Sequence, residues 1–128
     1  MIARWAIRSV VAMIALIVAL GVSHRILTDG IRVVVRNEGP AAMRDVAVSV
    51  TGRTYYLNGI PPGQERSVRV RPKGESHVEI EFIDEVARPV RLNAGGYFES
   101  GYHGTVLVGI RDGRIESFQQ NVDPLFAW

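Results

Sequence analysis

The sequence predicts an all-β domain, an antiparallel β-sandwich, preceded by one N-terminal apolar helix. Three observations point there. The composition breaks near residue 23, with an almost purely apolar stretch before it and mixed sequence after it. Past the break, short runs alternate apolar and polar residues with a period of two, the signature of half-buried strands. Between those runs stand Asn, Asp, Gly and Pro, and no stretch past residue 30 keeps the 3.6-residue period of an amphipathic helix.

The N-terminal element divides into residues 1–22 and a short linker, 23–30. Residues 9–22 carry no charge and would rise about 21 Å as a helix, short of the roughly 30 Å hydrocarbon core. Starting at Trp5 and letting Arg8 snorkel extends the helix through Ser23 to about 28 Å. This reads as a signal-anchor: a single-pass span, N-terminus inside, C-terminal domain extracytoplasmic. A removed signal peptide fits as well, because Ala19 and Gly21 flank Leu20 in the manner of a cleavage site. The linker reaches at most about 26 Å, which would hold the domain close to the bilayer.

The strands follow in order over residues 31–128. Ile31, Val33 and Val35 alternate with Arg32, Val34 and Arg36, and Asn37-Glu38-Gly39-Pro40 ends the run. Val46, Val48 and Val50 form the next face, and residues 54–57 a third strand closed by Asn58-Gly59. Val68 and Val70, then Val78, Ile80 and Phe82, read as a hairpin opposing Val70 to Val78 and Arg69 to Glu79 across a loop at 72–76. Pro89 confines the strand at 89–92 to an edge or a strand start. Val106, Val108 and Ile110 precede Asp112-Gly113, a type I′ turn signal that leads into 114–118. Seven or eight such strands make a sandwich, with a small closed barrel as the second choice.

Residues 31–84, through RVVVRNEGPAAMRDVAVSV and LNGIPPGQERSVRV, resemble bacterial immunoglobulin-like domains of the cell-adhesion-related (CARDB-like) group. The matching positions are Asn37, Gly39, Val46, Val48, Val50, Pro62, Gly63, Val68 and Val70. The resemblance implies an immunoglobulin-like β-sandwich with an interaction role in the envelope, and it carries no functional site.

Charge and residue chemistry exclude several classes. Apart from Arg4 and Arg8, basic and acidic residues balance and are interspersed, so no electrostatic footprint for nucleic acid exists. The absence of cysteine removes thiol nucleophiles, Cys-ligated metals and disulfide scaffolds. His24, His77 and His103 stand far apart and suggest no metal site; no cofactor is expected. Glu79 and Glu81 share a strand face and read as solvated ion-pair partners. Ser100 and His103 would be the only candidates for a small hydrolase, without an orienting third residue in view.

The candidate partner-binding residues are therefore aromatic. The segment 93–104 (NAGGYFESGYHG) reads as a glycine-rich loop presenting Tyr97, Phe98, Tyr102 and His103, and the C-terminus ends in Phe126 and Trp128. The expected role is a non-enzymatic, membrane-tethered interaction module with a protein partner in the envelope. The alternative is a secreted domain that binds a small ligand or saccharide through 93–104.

Overall fold

Alternating apolar residues fold here into two facing layers, each a four-stranded sheet. The structure, a computed structural model, describes residues 3–28 and 30–124, with side chains for 6–20 and 30–124. Helix α1 (Ala3–Thr28) leads into β1 (Gly30–Asn37), β2 (Met43–Val50), β3 (Arg53–Ile60), β4 (Glu65–Val70), β5 (Ser76–Ile83), β6 (Pro89–Phe98), β7 (Tyr102–Arg111) and β8 (Arg114–Pro124). The sheets run β4-β1-β7-β8 and β3-β2-β5-β6, so that β3 lies against β4 and β6 against β8. Between them Ile31, Val33, Val35, Val46, Val48, Val78, Ile80, Val106 and Val108 are wholly buried. At about 25 cal/mol per Å² of apolar surface, this face drives the assembly.

Several expectations change. Among the described residues no helix is long and apolar enough to cross a membrane. Arg8 and Arg25 bound the uncharged run within α1, which rises only about 24 Å against roughly 30 Å of hydrocarbon. The single-pass anchor, the membrane as partner and the N-in membrane localisation are therefore corrected. The linker is shorter than expected too, because α1 continues to Thr28.

The sheets are not wholly antiparallel: β1 and β7 pair in parallel, Val33 opposite Val106 and Val35 opposite Val108. With β1 lying between β4 and β7, the order departs from the ABED and CFG sheets of an immunoglobulin domain. The expected hairpin of β4 with β5 does not form. β4 pairs with β1, as Val68 with Val33 and Val70 with Ile31, while β5 pairs with β2 and β6. The connection crosses between layers, tied down where Lys73 N donates to Thr51 O (3.0 Å) and Thr51 N donates to the buried Ser76 Oγ (2.8 Å). Asn58-Gly59, read as a strand end, lies within β3, where Asn58 takes φ +62° beside a shift of register. Asp112 and Gly113, at φ +49° and +71°, do form the tight β7–β8 turn.

Candidate functional site

The strands define two poles. Strand β1 runs from Gly30, beside the end of α1, to Asn37, and the strand pairings carry that direction through both sheets. The pole near α1 holds the turns at 51–52, 71–75 and 99–101. The far pole holds the loops at 38–42, 61–64, 84–88 and 112–113.

The segment 93–104 lies at the α1 pole and is mostly strand, not loop. Residues 93–98 belong to β6 and 102–104 to β7, leaving only 99–101 as a turn. Its glycines bend β6 instead of freeing it: Gly95 and Gly96 take φ +84° and +89°. A Cβ on Gly96 would meet Phe98 Cε2 at 2.9 Å. Phe98 is 0 % exposed, so this expected partner-binding residue is core. Tyr102 packs against the core partly buried. Tyr97 is the exposed member at 50 %, and its hydroxyl donates to Glu99 Oε1 at 2.8 Å. Ionising it beside that carboxylate is unfavourable, which raises its pKa to about 12. His103 is half-buried, and its Nδ1 is buried with no hydrogen-bond partner, so Ser100 is not paired to that atom. Phe126 and Trp128 lie outside the described residues.

The other expected charges settle into ordinary strand-face pairs. Glu81 bonds Arg91 (Oε1 to Nε, 2.6 Å), and His77 Nε2 meets Glu79 Oε1 at 3.0 Å. Arg69 stands opposite Arg32 on β1, not opposite Glu79. Among the described residues no group of acidic and histidine side chains could hold a metal ion.

A cavity of about 240 Å³ opens at the far pole, between the loops at 38–42, 84–88 and 112–113. Its floor is Met43, Phe82 and Ile110, the last core residues of their strands. Asn37, 2 % exposed, shapes one wall. Its Nδ2 donates to Ala41 O (2.8 Å) and Ile60 O (2.9 Å), and its Oδ1 accepts from Gly39 N (3.0 Å). Its main chain also bonds Gln64 O and Gly63 N. One side chain therefore holds the β1–β2 loop against the end of β3.

The opposite wall is built on Asp84, whose Oδ1 accepts from Arg88 N (2.9 Å) and Val86 N (3.0 Å), with Arg88 Nε 3.4 Å from Oδ2. The hydrogen bond from Arg88 N, foremost, holds its carboxyl below the ordinary 3.8; desolvation opposes this, and the Val86 N–H and the Arg88 charge reinforce it. The loop so folded lifts Val86 into solvent, 59 % exposed, at the cavity mouth. Glu85 and Asp112 add carboxylates to a rim that also carries Arg88, and Asp112 Oδ2 lies 3.8 Å from Arg111 Nε.

The depressed pKa has a consequence for stability. Because the folded value lies below the unfolded one, the loop's contribution is present above the unfolded pKa and lost as pH falls through the folded value. Melting curves between pH 6 and 2.5 should show the native chain more stable than Asp84→Asn near neutrality, with the gap closing in acid. A constant gap would show that the charge of Asp84 does not hold this loop.

Sequence reasoning missed this cavity. Its exposed apolar residue, Val86, sits between Glu85 and Ala87 with no alternation to flag it, and its walls come from three loops distant in sequence.

No known family profile matches the chain, and no curated protein does. Among solved structures it is similar to the NMR structure of a protein from Eubacterium rectale. The TM-score is 0.50 at 6% sequence identity, and the match covers 69% of this chain and 84% of that one. At that identity the likeness shows the fold alone.

Proposed function

We propose that this chain is a non-catalytic recognition module that takes a short segment of a partner protein in the cavity at its far pole. One observation carries the reading: an apolar floor under a rim in which Asp84, Glu85 and Asp112 outnumber Arg88, with exposed Val86 at the mouth, at the end of the domain facing away from α1. A floor of Met43, Phe82 and Ile110 suits one apolar side chain, and Glu85 and Asp112 suit a basic neighbour. The acid–base chemistry of the wall favours binding over catalysis. Asp84 is committed to two backbone N–H groups and Arg88, which holds it ionised as a structural anchor.

Selection of random peptides on the full chain tests this. Enriched peptides should join a large apolar residue to Lys or Arg. Their affinity should fall about thirtyfold on combining Glu85→Gln with Asp112→Asn, about 1 kcal/mol for each lost charge contact. Tyr97→Ala should leave it unchanged. Peptides that depend on Tyr97 and ignore the rim, or no enrichment at all, would discard the cavity as the recognition site.

A further inference from the structure

The edges of the two sheets are not equally defended. Unpaired strand edges invite another strand, and proteins block them with charges, prolines, bulges or glycine bends. Edge strand β4 carries Glu65, Arg66 and Arg69. Strand β3 carries Arg53 and the left-handed Asn58 at a register shift. Strand β6 begins at Pro89 and bends at Gly95 and Gly96. Strand β8 has none of these over residues 117–122, Ser-Phe-Gln-Gln-Asn-Val. It pairs with β7 along its length and, among the described residues, no strand pairs with its other side.

We infer that β8 is the interface of a homodimer, in which a second copy adds its own β8 antiparallel to form a continuous eight-stranded sheet. A strand paired with itself about a two-fold axis must keep inward residues opposite inward ones. In β8 the inner-face residues include Phe118 and Val122, each only partly buried at the margin of the core. Centring the axis on Gln120 sets Phe118 of each copy opposite Val122 of the other and completes their burial. The same register sets Gln119 opposite Asn121, amides that can bond each other, and Ser117 opposite Asp123. No like charges meet. Centring it on Gln119 instead would oppose Phe118 to Gln120 and Glu116 to Val122, leaving both apolar side chains without an apolar partner. Beside Gln120 the facing sheet presents Gly96, which has no side chain to obstruct an arriving strand.

The chain contains no cysteine, so one introduced thiol reports on one contact. The full chain is kept in mild non-ionic detergent, which covers the exposed apolar side chains of α1. Gln120→Cys places two facing Cβ atoms about 5 Å apart, within disulfide reach. Glu116→Cys places its thiols about 27 Å apart in the same dimer. Gentle oxidation should convert most of Gln120→Cys to a covalent dimer and leave Glu116→Cys monomeric. Without added thiols, sedimentation should show a dimer for the native chain. Gln120→Lys, which sets two ammonium groups face to face, should weaken that dimer at least tenfold. A monomeric native chain, no link at position 120, or equal linking at 116 and 120 overturns the proposal.

Discussion

Replacing Phe98 by alanine should cost about 3–5 kcal/mol of folding stability, lowering the melting temperature by roughly 15 °C or more. Phe98 is the largest wholly buried side chain of the described core and closes it at the α1 pole. Its removal leaves a void that the glycine-bent end of β6 has no side chain to fill, since Gly95 and Gly96 stand beside it. Tyr97→Ala, one position away on the exposed face, should change stability by less than about 1 kcal/mol. Urea titration of the two variants makes the comparison. A Phe98→Ala loss below about 1 kcal/mol would mean that the ring serves a surface role after all.

Asn37→Ala should cost about 2–4 kcal/mol, an unusual loss for one polar residue. The change leaves Ala41 O and Ile60 O without their donor beneath the far-pole cavity, and buried groups stripped of a partner bear the full desolvation penalty. Asn37→Asp gives a sharper signature. An ionised carboxylate cannot donate to those two carbonyls, so burial raises the pKa of the new acid in the folded state. A raised folded pKa contributes stability at low pH that is lost as pH rises through it. The Asp variant should therefore be more stable near pH 4 than near pH 7. Equal stability at both pH values would show that the side chain at 37 is not sealed from water.

Much of the fold was legible because face and partner are encoded differently. Alternation in 31–35, 46–50, 78–82 and 106–110 marks which side of each strand is buried, and every one of those inward residues is core. Alternation says nothing about the neighbour. Val68 and Val70 match the face of Val78 and Ile80 equally well across a hairpin or across the sandwich. What selects the crossing is Ser76 and Thr51 holding the 71–75 connection, two polar residues that alternation passes over. The parallel pairing of β1 with β7 was illegible for the same reason, since its strands are far apart in the chain.

The candidate site was less legible than the fold. Glycines in 93–104 suggested a free loop, yet at Gly95 and Gly96 they let an edge strand bend while its pairing with β5 shifts register. Of the aromatics singled out there, Tyr97 alone is substantially exposed, and Phe98 lies buried in the core. The apolar leader misled for a different cause. Composition alone measured its greasiness, and reaching bilayer thickness required counting the charged Arg8 into the span.

The place of β1 between β4 and β7 also bears on how the chain is made. On the ribosome, the first strand to emerge waits for a neighbour synthesised some seventy residues later, while its valines stay uncovered on one side. Such distant closure slows the search for the native state relative to local pairings. A chain ending before residue 102 would therefore leave one edge of β1, from Gly30 to Asn37, without the strand that pairs with it.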